Sequence, residues 1–251
     1  VVLLIDEYDK PIIDYLDELE QAKANQQILK TFYSVIKDSD PYIEFLLITG
    51  VSKFSKVSIF SELNNLTDLT LNRHFADLTG YTQAELETAF APYMAETEAI
   101  LGLGHTELLA QLRRWYNGYS WDGRTFLYNP FSILNFFLQT DFRNYWFETG
   151  TPTFLLKLMR QEWLYALDNL TVSEQTFASY DIERLSAVAI LFQTGYLTIK
   201  KKGNFGLYTL DYPNTEVKES LLSYIIADLR NESVSFTKPM VIQLYEAFNS
   251  N

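Results

Sequence analysis

Cysteine is absent from the 251 residues, which excludes disulfides and thiolate metal sites. Imidazole is nearly absent too, since His74 and His105 are the two histidines, and a structural zinc centre therefore lacks ligands. Apolar runs are short, and none approaches the ~18 residues that a membrane-spanning helix needs. Positive charge is scarce: 20 Lys and Arg stand against 32 Asp and Glu, a net charge of −12 that disfavours nonspecific nucleic-acid binding by the surface as a whole. The run Lys200-Lys201-Lys202, ahead of Gly203-Asn204, reads as a solvated hairpin tip. Glycine is sparse, with ten residues, and no GxxxxGK[ST] phosphate loop occurs; neither Gly102-Leu103-Gly104 nor Gly203-Asn204-Phe205-Gly206 carries the required Lys-Ser/Thr. With 47% hydrophobic and 16% aromatic residues there is ample material for a sizeable core, arranged in one or two domains. These features predict a cytoplasmic chain.

The first residues are the most informative. Val1-Val2-Leu3-Leu4-Ile5 runs directly into Asp6-Glu7, followed by Tyr8-Asp9-Lys10-Pro11. A short apolar run ending in acids reads as a buried parallel strand that delivers two carboxylates at its carboxyl end. That is the layout of a Walker B element, in which the Asp helps to hold Mg²⁺ and the adjacent Glu orients or deprotonates the attacking water. The plainer reading is an acidic cap on the next helix, with Asp14 and Glu18 nearby. A second apolar run, Ile43 to Ile48, ends at Thr49-Gly50-Val51-Ser52-Lys53. In α/β sheets ligands bind at the carboxyl ends of parallel strands, so both termini can face one site. Thr49 or Ser52 would then act as a sensor of the γ-phosphate or attacking water; the alternative is a polar strand exit with Gly50 making the turn.

Helical spacing at Ile13, Leu16, Leu19, Ile28, Phe32, Val35 and Ile36 predicts one or two helices covering a sheet. Leu66, Leu69 and Leu71 read as core contacts on a short strand or turn. Thr82 and Glu85 form a candidate capping box, with Leu86, Phe90, Tyr93 and Met94 sharing one face. A further helix runs from about Thr106 to Trp115 and stops at Asn117-Gly118. The aromatic clusters 115–119 and 128–134 flank a turn at Trp121-Asp122-Gly123; core packing is favoured over base stacking there. Helical periodicity recurs over 130–138, 154–167 and 181–192. Residues 195–200 and 205–210 then form a hairpin across the Lys-Gly-Asn turn, and closing helices span about 217–229 and 239–248.

Taken in order, several stretches resemble a bacterial AAA-ATPase-like family whose members usually carry a PD-(D/E)xK nuclease-like domain at the C-terminus. They are residues 3–12 (LLIDEYDKPI), 48–66 (ITGVSKFSKVSIFSELNNL), 115–119 (WYNGY), 128–132 (YNPFS), 150–154 (GTPTF), 191–200 (LFQTGYLTIK) and 212–217 (YPNTEV). The resemblance implies an α/β fold: a partial P-loop NTPase core of the AAA/ASCE type over 1–78, with a parallel sheet and helices. A mostly α-helical region with a winged-helix-like β-hairpin follows over 79–251. It implies ATP and Mg²⁺ as cofactors, Asp6 as the metal carboxylate, Glu7 as the catalytic base and Thr49 or Ser52 as the sensor. Asp9, Lys10, Lys53 and Lys56 belong to the same motifs without an assigned role. The phosphate loop and the nuclease-like domain are missing from the sequence, so the chain is expected to be a fragment of a longer polypeptide, inactive alone.

The expected function is an ATP-driven switch that couples nucleotide state to the attached nuclease-like domain. The alternative is a non-hydrolysing regulatory or protein-interaction module on the same fold. Expected partners are nucleotide, the intramolecular nuclease-like domain, and a protein partner or second copy. Nucleic-acid binding through the hairpin is disfavoured, because Asp181-Ile182-Glu183-Arg184 shows no basic excess where a recognition helix would lie.

Overall fold

A computed structural model describes residues 1–52, 66–146, 153–177, 182 and 185–233, with 235, 237 and 239. The architecture is mixed α/β. Strand β1 (Val2–Ile5) and strand β2 (Phe45–Ile48) pair in parallel, in register from Val2↔Phe45 to Ile5↔Ile48. Parallel neighbours need a crossover. It is made by α1 (Lys10–Ile13), which opens at Pro11, and α2 (Leu19–Asp38). Side chains alternate across the two strands: Ile5, Leu46 and Ile48 pack towards the core, while Val2 (56% exposed), Leu4 (70%), Phe45 and Leu47 lie on an open face. α2 buries Ala22, Tyr33 and Ile36 and leaves Ile28, Phe32 and Val35 exposed.

The next segment is helical. In α3 (Gln83–Ala89) the expected capping box is complete: Thr82 Oγ1 accepts from Glu85 N, and the Glu85 carboxylate accepts from Thr82 N at 2.8 Å. The apolar face predicted over 86–94 is split between two helices, because the chain breaks at Phe90 and restarts as α4 (Ala91–Leu101) with Pro92 in its first turn. α5 (His105–Tyr116) stops at Asn117, as its sequence indicates. Short strands β3 (Asn117–Tyr119) and β4 (Leu127–Tyr128) then form an antiparallel pair ahead of α6 (Pro130–Gln139), whose N-cap Asn129 accepts from Phe131 and Ser132 N–H. Tyr116, Tyr128, Ile133 and Phe136 are fully buried together, so these aromatics are core.

α7 (Thr153–Gln161) ends short of the expected residue 167, and from there onward the structure departs from the periodicity reading. Residues Leu170–Ser173 form a strand, β5, followed by α8 (Glu174–Phe177) and α9 (Ala187–Gln193). β6 (Thr198–Lys202) and β7 (Leu207–Asp211) make the expected hairpin, and β5 joins it on the far side of β7, all antiparallel. The strand begins later than predicted because Gly195, at φ 84°, turns the chain out of α9. Lys200 also departs from a hairpin-tip role: it lies within β6 and donates to the Pro213 carbonyl at 2.8 Å, and burial lowers its pKa. Leu66, Leu69 and Leu71 lie outside any strand, with Leu66 and Leu71 packed on the core. α10 (Thr215–Arg230) closes the described fold. The expected 239–248 helix falls, Pro239 apart, outside the described residues, as do motif residues 53–65 and 150–152, and Asp181, Glu183 and Arg184.

One apolar core joins Tyr8, Ile12, Leu16 and Tyr33 from the N-terminal segment to Leu155, Phe192, Leu210 and Leu221. The second core lies within 86–145. A buried polar junction at Glu216 links the second helical segment to α10. Glu216 Oε1 accepts from the N–H of Tyr145 (2.7 Å) and Trp146 (2.9 Å), and Oε2 accepts from Ser132 Oγ (2.8 Å).

Candidate functional site

The site grows out of the carboxyl ends of β1 and β2. Their ladder continues past the strands through Thr49 N to Ile5 O (2.8 Å) and Tyr8 N to Thr49 O (3.0 Å). This continuation brings Thr49 beside Asp6, and the Thr49 hydroxyl donates to Asp6 Oδ1. Glu7 N donates to the same oxygen at 3.0 Å. Asp6 Oδ2 has no protein partner among the described residues, and Asp6, Glu7 and Thr49 are all exposed to solvent.

Glu7 adopts φ +49°, a left-handed conformation for a residue with a Cβ. Such a conformation costs roughly 1–2 kcal/mol. Thr140 and Asn231 adopt it as C-caps at helix ends, a common use, whereas Glu7 sits at a strand exit. The turn is held from both sides, by the bond from Tyr8 N to Thr49 O and by Lys10 N to Glu7 O at 3.1 Å. The strained backbone is thus fixed on both sides, and Glu7 stays exposed to solvent directly after Asp6.

Ser52 is placed differently. It is 5% exposed, and its N–H and hydroxyl both bond Asp9 Oδ2, at 2.5 and 2.6 Å. Asp9 Oδ1 accepts from Val51 N at 3.2 Å, and Tyr8 Oη donates to Ser52 O at 3.0 Å. The structure thus brings Asp6, Glu7 and Thr49 together and turns Ser52 away, into a buried contact with Asp9. Sequence reasoning left Asp9 without a role. Its signal was its position three residues after Asp6, matching the spacing of Thr49 and Ser52.

Among the described residues no group of three or more His, Cys, Asp or Glu could hold a metal ion by itself. Mg²⁺ does not require one, because it keeps several waters and commonly uses one or two carboxylates together with substrate phosphates. The all-oxygen set of Asp6 and Thr49, with a free carboxylate oxygen, fits that chemistry. No helix among the described residues is long and apolar enough to cross a membrane.

The chain is 42% identical over 256 aligned positions to a protein of Azotobacter chroococcum mcd 1 described as "Uncharacterized protein in vnfD 5'region"; the alignment covers all of this chain and 47% of that protein. The chain therefore spans about half the length of the curated relative it matches. No solved structure matches it. Residues 1–60, which contain both strand ends and the Asp6, Glu7 and Thr49 cluster, match the AAA-ATPase-like family model described as "Predicted AAA-ATPase". That match supports an AAA-ATPase-like character for this N-terminal segment.

Proposed function

We propose that this chain supplies the Mg²⁺-binding and water-activating half of an ATP-hydrolysing site, and that the complete site forms in the longer polypeptide. The observation that carries this reading is the hydrogen bond between Thr49 and Asp6 across two parallel strand ends, with Glu7 held beside it in a strained turn. In this reading Asp6 is the Walker B carboxylate that orients Mg²⁺ through its water shell, using the oxygen that Thr49 and Glu7 N–H leave free. Bound Mg²⁺ would neutralise charge on the transferred phosphate. Glu7 accepts a proton from the attacking water or orients it. Thr49 is the sensor, since its hydroxyl faces Asp6 while that of Ser52 is committed to Asp9. The Thr49 hydroxyl and Glu7 N–H both engage Oδ1 of Asp6, which leaves Oδ2 for the metal's water shell.

The open face of Val2, Leu4, Phe45 and Leu47 supports the same reading. Parallel sheets are covered on both faces, and two strands with one bare apolar side are an incomplete sheet. The phosphate-loop strand and its helix, in the rest of the polypeptide, would complete it. The three-stranded β5-β7-β6 sheet with α9 would act as a winged-helix-like element that passes nucleotide state to the attached nuclease-like domain. Its exposed hairpin residues, Phe205 and Leu207, suit a protein contact better than a nucleic-acid one.

Mg²⁺-dependent ATP binding and hydrolysis by the full-length polypeptide tests the proposal. Glu7→Gln should leave ATP binding intact and lower turnover by about 10²-fold, as for loss of a positioned base. Asp6→Ala should raise the Mg²⁺ needed for binding and turnover. Binding without turnover in the unmodified protein would favour the non-hydrolysing regulatory module, and unchanged turnover in Glu7→Gln would remove Glu7 from its role.

A further inference from the structure

We infer that Asp9 is a positioning residue: by fixing the exit turn of β2 it holds Thr49 in register with Asp6. Its consequence for turnover rests on the ATPase reading above, whereas the clamp itself does not. Asp9 stands at the N-cap position of α1, where an aspartate ordinarily accepts from helix N–H groups, yet its side chain makes no such bond. Both carboxylate oxygens instead reach across to Val51 and Ser52. Asp9 is fully buried, and a buried carboxylate is tolerated only when donors surround it. Here three donors do, all from one turn on the other strand's exit.

Besides the backbone bond from Tyr8 N to Thr49 O, two carboxylates join the exits at equal spacing. Asp6 pairs with Thr49, and three residues further along each segment Asp9 pairs with Ser52. Both are carboxylate–hydroxyl pairs; the first is exposed and the second buried. A solvent-exposed pair alone holds little, because water competes for both partners. The buried pair lacks that competition, and Tyr8 Oη on Ser52 O closes the turn from the other side. Gly50 completes the clamp: a Cβ there would lie 2.5 Å from the Tyr8 ring and 2.6 Å from Asp9 Oδ1, so the close approach requires glycine. With residues 51 and 52 fixed, Thr49 has little freedom to slide along β2, and its hydroxyl stays opposite Asp6.

The test uses the full-length polypeptide with Asp9→Asn, which sets an NH₂ group against the N–H of Ser52. Two readouts are taken: hydrogen exchange in a peptide covering residues 45–52, and the kcat, ATP KM and Mg²⁺ half-saturation of hydrolysis. The expected result is faster exchange at 45–52 with residues 105–116 unchanged. It includes a kcat lower by about tenfold or more, the scale for a misplaced reacting group, an ATP KM within about twofold of the original, and a raised Mg²⁺ requirement. Ser52→Ala should reproduce these changes in weaker form and Ser52→Thr should reverse them, which decides the matter if Asp9→Asn does not fold. Unchanged exchange at 45–52 overturns the clamp. Faster exchange across all peptides with kcat and Mg²⁺ dependence preserved reduces Asp9 to general stability and overturns the positioning role. An unmodified protein that hydrolyses no ATP refutes the ATPase reading, and the exchange measurement still decides the clamp.

Discussion

Removing the Glu216 side chain should be among the most damaging single changes in the chain. Glu216 is fully buried and satisfies two backbone N–H groups, of Tyr145 and Trp146, and the Ser132 hydroxyl. In Glu216→Ala the two N–H groups lose the carboxylate acceptor, and a buried donor deprived of its acceptor costs about 1–3 kcal/mol. Ser132 can turn its hydroxyl to another acceptor, so the backbone donors and the vacated volume set the cost at about 3–5 kcal/mol. Glu216→Gln separates hydrogen bonding from charge. Its carbonyl oxygen still accepts from both N–H groups, its NH₂ meets a hydroxyl able to accept, and the cost of burying a charge is gone. The Gln variant should therefore lie within about 1 kcal/mol of the parent at pH 7. The pH dependence follows from the sign of the shift. Burial raises the Glu216 pKa above its ordinary 4.5, outweighing the three hydrogen bonds that lower it. With the folded pKa above the unfolded one, this residue's contribution is most favourable below the unfolded value. It diminishes as pH rises through the folded value and is constant above it. Glu216→Gln should lack that decline. Denaturant unfolding followed by tryptophan fluorescence, with Trp146 adjacent to the junction, measures both effects. A loss under 1 kcal/mol in Glu216→Ala, or a Gln variant as unstable as the Ala variant, would refute the argument.

Other substitutions probe other parts of the fold. Glu7→Gly should raise stability by about 1 kcal/mol by relieving the φ +49° conformation, while abolishing turnover in the full-length protein; melting and ATPase assays read the two effects in opposite directions. Gly118→Ala should cost several times more than Gly102→Ala in denaturant unfolding. Both glycines have positive φ, but a Cβ at 118 overlaps the Pro213 carbonyl and one at 102 meets open space, so the latter should cost only about 1 kcal/mol. Thr82→Ala should remove about 1 kcal/mol by opening the capping box, with Thr82→Ser largely restoring it.

Much of this was legible in the sequence where local chemistry decides the structure. Thr82 with Glu85 and the stop at Asn117-Gly118 depend on neighbours in sequence and appear where those residues place them, and the hairpin forms with its first strand starting at Thr198 instead of Gly195. β5 was not legible. Leu170-Thr171-Val172-Ser173 has too few residues to show a period, and it becomes a strand because β7 offers it a free edge. The break at Phe90 was hidden by an apolar face that continues across Pro92. Of the site, the acids at the strand end could be read, because an apolar run ending in Asp-Glu is a local pattern. The choice between Thr49 and Ser52 could not. Both are hydroxyls after one strand, and the difference lies in which aspartate each meets at a sequence separation of 43.

That difference points to a division of labour among the acids. In a chain with 32 carboxylates and 20 Lys and Arg, most acids serve as solvated surface, and charge alone singles out none of them. Donors do. Asp9 and Glu216 are each fully buried, and each is surrounded by three N–H or O–H donors from distant parts of the chain, with no cation on either among the described residues. Carboxylates so enclosed have most of their acceptor sites filled and are shut off from solvent, so they act as joints. Asp6 has its two donors on one oxygen, and Glu7 is exposed to solvent, so these two retain capacity for an external partner. Neutralising the two kinds should therefore fail in different ways: at Asp9 it should disturb the register of the strand ends, and at Asp6 it should leave that register intact while removing the proposed Mg²⁺ carboxylate.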